Sequence, residues 1–118
     1  MIAVSAGMMA EALALARKGG IGWADFLAVM AESAAASPFV KYKTGPLERR
    51  DFSPTFTAGQ IVKDLDLILD AAGKTGVPAP LAAIVRQSYT AMLAAEGGGD
   101  DFIAIVRHTE RLAGLGEP

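Results

Sequence analysis

The chain has no cysteine. That removes disulfides, zinc–thiolate centres and thiol nucleophiles, and it suits a cytoplasmic protein. It has one histidine, His108. With no cysteine and no second histidine, no ligand spacing supports a metal site there, and His108 reads as structural or solvated. An excess of charge of one sign is also missing. Eleven Lys and Arg stand against thirteen Asp and Glu, a formal net charge of −2, and nothing in that balance recruits nucleic acid or an anionic membrane. There is no membrane-length apolar run either. The start, MIAVSAGMMA, has no positive region ahead of it and runs into Glu11 and Arg17, so it is neither a secretory signal nor a span. Alternating runs closed by hairpin turns, the mark of strands, do not occur.

What is present is a chain of 118 residues, 52% of them hydrophobic and 20% charged. That length fits one domain with a real core. Alanine, leucine and methionine dominate, which predicts an all-α bundle of five to six helices. The first helix covers Ile2 to Lys18 and stops at Gly19-Gly20, with Arg17 and Lys18 in its last turn. The second covers Trp23 to Ala35. Ser37-Pro38 opens a short helix or turn through Tyr42, and Lys43 to Pro54 is a connector. The fourth runs from Ala58 to Lys74 and closes at Gly76. Pro78 and Pro80 open a fifth, Leu81 to Glu96, which Gly97-Gly98-Gly99 ends. Asp100 or Asp101 caps a last helix to Ala113. The first helix is odd: Ile2, Val4, Met8, Met9, Leu13 and Leu15 form no single stripe. A helix apolar all round is buried all round, and a bundle this small leaves part of it for a partner surface.

Candidate sites are few. On a wheel of the fourth helix, Ala58, Ile61, Leu65, Ile68, Leu69 and Ala72 share one face. Lys63, Asp66, Asp70 and Lys74 lie opposite. That polar face is either plain solvated surface or, through Lys63, a wall that holds a ligand beside Phe56. Asp70 and Lys74 have the spacing of an i,i+4 ion pair. Lys41, Lys43, Arg49 and Arg50 form a mildly basic loop, too sparse for nucleic acid but able to grip a phosphate or a carboxylate. The serines lack a neighbouring base or a nucleophile elbow. Gly97-Gly98-Gly99 follows a helix and lacks a following Lys-Ser/Thr, so it terminates a helix and cradles no phosphate.

Three segments carry a resemblance: AEALALARKGGI at Ala10 to Ile21, DFSPTFTAGQIVKDLDLILDAAGKTGVPAPL at Asp51 to Leu81, and GGGDDFIAIVRHTERLAG at Gly97 to Gly114. In that order they resemble the C-terminal helical domain of the β-hydroxyacid dehydrogenases, the family of 3-hydroxyisobutyrate dehydrogenase and tartronate semialdehyde reductase. The middle segment is the specific one, with Asp-Phe, Pro and Phe followed by Lys-Asp-Leu. The resemblance implies a fold like the C-terminal domain of 6-phosphogluconate dehydrogenase. It implies an NAD(P)-dependent oxidoreductase of small hydroxyacids in which residues 1–118 close the active site and form a homo-oligomer, most simply a dimer. It implies that Lys63 contacts the cofactor, NAD or NADP, and that Phe56 lines the substrate pocket. Asp64 matches the pattern beside them and goes with Phe56 to the substrate side.

The departures are as informative. The family's catalytic lysine, followed within a turn by an asparagine, would stand upstream of Met1. The Gly-x-Gly-x-x-Gly fingerprint is absent, with no strand to carry it. The resemblance therefore implies a helical domain without its Rossmann domain, inactive alone. The competing expectation is a free-standing interaction module that kept the fold and lost the chemistry.

Overall fold

The computed structural model describes residues 1–117. Among these the chain is all helical: α1 (Ile2–Lys18), α2 (Trp23–Glu32), α3 (Pro38–Glu48), α4 (Ala58–Thr75), α5 (Pro80–Glu96), a 3₁₀ turn at Phe102–Ala104 and α6 (Ile105–Leu112). Among the described residues no helix is long and apolar enough to cross a membrane.

α1 is the central post. Its buried side is small: Ala3, Ala6, Ala10 and Ala14, with Met9 and Leu13 between them. Short side chains let α6 and α5 lie close against it, while α2 and α3 cover another flank. The helix is not buried all round within the chain. Ile2, Met8 and Leu15 remain exposed, Leu15 at 75%.

α2 and α3 differ from the sequence expectation. α2 ends at Glu32, where Ser33 turns extended and its hydroxyl bonds back to the Met30 carbonyl. α3 is a full helix to Glu48, so the expected connector is half helical. Ser37 caps α3 by accepting from the Val40 N–H at 3.2 Å. Pro46 lies inside it. That proline removes one backbone donor, but Val40, Lys43 and Leu47, all buried on one face, hold the helix through it.

α4 and α5 form an antiparallel pair whose near end is packed and whose far end projects. Ala58, Ile61 and Leu65 are buried. Ile68, expected on the core face, is exposed, as are Leu67, Val77, Leu81 and Ile84. Of the face expected in the core, the first two turns of α4 are buried, and the core does not reach Ile68. Gly76 closes α4 in the left-handed conformation, φ 71°, which glycine adopts without strain.

Candidate functional site

The loop from Asp51 to Thr57 is held by a pairing with residues 98–102. The Asp101 N–H donates to the Phe52 carbonyl and the Phe102 N–H to the Phe56 carbonyl, both at 2.9 Å. The first N–H groups of α4 donate back: Ala58 to the Asp100 carbonyl at 2.9 Å and Gly59 to the Gly98 carbonyl at 3.1 Å. The Gly-rich loop therefore meets a helix start with carbonyls, which is the opposite polarity to a phosphate cradle. Gly98 packs so closely that a Cβ there would sit 3.3 Å from the Gly59 nitrogen.

One buried carboxylate organises this joint. Asp101, 1% exposed, accepts from the Lys43 ammonium at 2.8 Å, from the Ile103 N–H at 3.0 Å, from the Thr55 N–H and hydroxyl at 3.0 and 2.9 Å, and from the Phe56 N–H at 3.3 Å. Burial pushes its carboxyl up, but the Lys43 ammonium and these donors outweigh burial and hold it below the ordinary carboxylate range. Lys43 is itself buried and lies over the Phe102 ring, 5.0 Å from its centroid. It is not part of an exposed basic loop, and no ligand reaches it, because α3 carries it into the core. Tyr89, fully buried, donates to the Phe102 carbonyl at 2.8 Å.

This scaffold fixes the residues that the sequence singled out. Phe56 is half-buried and meets Phe102 edge-on, ring centroids 6.2 Å apart at 84°, and Phe102 stacks on Phe39 at 5.7 Å. Thr57 and Gln60 then form a capping box, Thr57 Oγ1 accepting from Gln60 N–H at 3.1 Å and Gln60 Oε1 from Thr57 N–H at 2.8 Å. With the start of α4 fixed, Lys63 stands on its exposed side and makes no ion pair among the described residues. Asp64, also exposed, lines a cavity of about 160 Å³ with Ile61, Ile68 and Ala82 where α1 begins at Met1 to Val4. Phe56 and Lys63 do not line that cavity. Within this chain the three residues mark one end of α4 without closing into a single pocket. Asp70 and Lys74 form the expected surface pair at 2.8 Å.

Sequence reasoning missed Asp101 as the organiser of the loop and Lys43 as its partner. A wheel drawn over the whole of α3 carries the signal: Val40, Lys43 and Leu47 are spaced i, i+3, i+7, so Lys43 belongs to the apolar face. His108 is structural: it is buried, with Nδ1 3.0 Å from Glu96 Oε1. No group of three or more metal-ligating side chains occurs among the described residues.

Residues 1–109 match the family model described as "NAD-binding of NADP-dependent 3-hydroxyisobutyrate dehydrogenase". The chain is 33% identical over 92 residues to a probable 3-hydroxyisobutyrate dehydrogenase-like protein of Arabidopsis thaliana, covering 78% of this chain and 27% of that one. It is 30% identical over 98 residues to L-threonate dehydrogenase of Cupriavidus necator, covering 83% and 33%. It therefore spans about a third of the length of these relatives. The crystal structure of 3-hydroxyisobutyrate dehydrogenase from Salmonella typhimurium superposes with a TM-score of 0.83 at 28% identity, over 90% of this chain and 37% of that one. The Mycobacterium tuberculosis 3-hydroxyisobutyrate dehydrogenase with L-serine gives 0.76 at 29%, over 91% and 39%. The helical fold and a match over nearly the whole length agree: the chain belongs to the 3-hydroxyisobutyrate dehydrogenase family of NAD(P)-using oxidoreductases.

Proposed function

We propose that this chain is the helical domain that closes the active site of an NAD(P)-dependent dehydrogenase of small 3-hydroxyacids, of the 3-hydroxyisobutyrate type, acting in the cytoplasm. The bound dinucleotide would supply or accept the hydride at the carbon bearing the substrate hydroxyl. The residues here bind and orient. Lys63 meets the cofactor, and its exposed ammonium, unpaired among the described residues, is the observation that carries the reading. A free cation suits a partner with phosphate or carboxamide oxygens. Phe56 and Asp64 border the substrate, with Phe56 held rigid by the Asp101 cluster. The proton-transfer group and the dinucleotide fold come from a Rossmann domain beyond residues 1–118.

The same reading includes self-association, most simply as a dimer. Met8, Leu81, Ile84 and Leu112 are exposed around an apolar cavity of about 350 Å³ between α1, α5 and α6. An exposed apolar surface of this kind marks contact sites.

The test is Lys63→Ala in the two-domain enzyme. The Michaelis constant for NAD or NADP should rise about tenfold, the equivalent of about 1.4 kcal/mol, with an unchanged unfolding midpoint because the side chain faces away from the core. Unchanged Michaelis constants for both cofactors refute the role. A second measurement concerns the chain alone, which should give no hydride transfer until a Rossmann domain is supplied.

A further inference from the structure

We propose that the pocket between Arg50 and α6 is a binding site for a small oxyanion, the phosphate or carboxylate group of a small ligand, and that the Glu117 carboxylate is its internal occupant. The pocket has a volume of about 180 Å³ and is walled by Arg50, Arg107 and Arg111. Phe56, Lys63 and Asp64 do not line it, so it is separate from the site above.

Three observations meet here. The first is backbone position. Arg50 has φ 56°, the one positive value at a non-glycine residue among those described. It is the residue that closes α3 after the cap, its N–H donating to the Leu47 carbonyl at 3.1 Å and the Asp51 N–H to the Pro46 carbonyl at 2.9 Å, and this turn sets where its side chain starts. The second is aim. The Arg50 guanidinium lies between the Trp23 and Phe52 rings, 4.8 and 5.4 Å from their centroids, and its Nη1 is buried with no hydrogen-bond partner among the described residues. The planar, stacked guanidinium is the form of cation that recognises oxyanions. The third is charge. Arg17, Arg50, Arg107 and Arg111 converge on Glu96, Asp100 and Glu110. Four guanidiniums meet three carboxylates in this network, and Glu117 adds a fourth carboxylate at Arg50.

Glu117 shows the chemistry that the pocket takes. Its Oε2 lies 3.2 Å from Arg50 Nε and 3.1 Å from Arg50 Nη2. Yet its side chain is 68% exposed, against 17% for that of Arg50. A carboxylate so open to water is weakly held, and an external anion can displace it without opening the core. Glu110, 2.8 Å from Arg50 Nη2 and 2% exposed, stays in place as the permanent wall.

Trp23, the only tryptophan, stacks on Arg50 and reports on the site. Titrating the chain with inorganic phosphate, and separately with acetate, at constant ionic strength against chloride should change its fluorescence saturably with at least one of the two. Which anion acts identifies the ligand group. Glu117→Gln should tighten that binding at least threefold. Arg111→Gln, at an exposed position that does not hold the core, should weaken it at least threefold with an unchanged circular dichroism spectrum. The proposal is overturned if neither anion gives a response beyond chloride, or if Glu117→Gln leaves the affinity where it was.

Discussion

At the scale of single residues, Asp101 and Lys43 carry the largest stake. Removing one member of a buried ion pair leaves the other charged and unpaired, which costs about 3–5 kcal/mol. Lys43→Met should therefore destabilise the chain by about 3 kcal/mol in urea unfolding. Adding Asp101→Asn to that variant should recover about 1 kcal/mol or more, because it removes the unpaired buried charge while the amide oxygen still accepts from the Thr55 and Phe56 N–H groups. If the double variant is as unstable as the sum of the singles, the pair is not the unit described. The same carboxylate sets a pH dependence. Asp101 has its folded pKa below the ordinary value. So has Glu96, where burial raises the carboxyl but Arg107, His108 and Arg111 outweigh it. A depressed folded pKa contributes stability that is complete above the unfolded value and is lost as pH falls through the folded one. The urea midpoint should be flat from pH 7 to about 5 and fall below about pH 4, where free carboxyls protonate. Asp101→Asn should flatten that fall.

At the scale of elements, α4 depends on its first turn. The Thr57 and Gln60 capping box satisfies two N–H groups at its start. Thr57→Ala should cost about 1 kcal/mol. Gly98→Ala should cost about 1–2 kcal/mol, since the added methyl meets the backbone of Gly59 and backbone does not yield as a flexible side chain does. Thermal or urea unfolding of either variant checks the value, and an unchanged midpoint for Gly98→Ala would show that the loop can shift. The elements also separate what the sequence makes legible from what it hides. α1 matches its expected span because Gly19-Gly20 ends a long apolar run, a local signal. α4 and α5 fall within a residue of theirs for the same reason. α3 was hidden because Pro46 reads locally as a breaker, whereas burial of Val40, Lys43 and Leu47 is a tertiary effect. Lys63, Phe56 and Asp64 are singled out by their pattern in the sequence, and their roles belong to the proposed function. The Lys43–Asp101 pair was not legible, since the partners lie 58 positions apart in sequence and neither residue type is expected inside a core.

At the scale of the whole molecule, the apolar surface that remains uncovered sets the behaviour in solution. Leu81 and Ile84 on α5 and Leu112 on α6 are 65%, 63% and 74% exposed. Sedimentation at micromolar concentration should give a dimer or larger species, and Ile84→Lys should return it to monomer with an intact helical spectrum. A stable monomer of the parent chain would remove self-association from the proposed function.

The pairing of Thr57 with Asp101 has a consequence for how this domain can change. It joins the two feet of the α4–α5 hairpin, so that the hairpin is closed at its base and open to water at its tip, where Thr75 to Pro78 are exposed. Length added or removed at that tip leaves every bond of the base intact. The arm can therefore be remodelled for a new partner while the loop that carries Phe56 keeps its place.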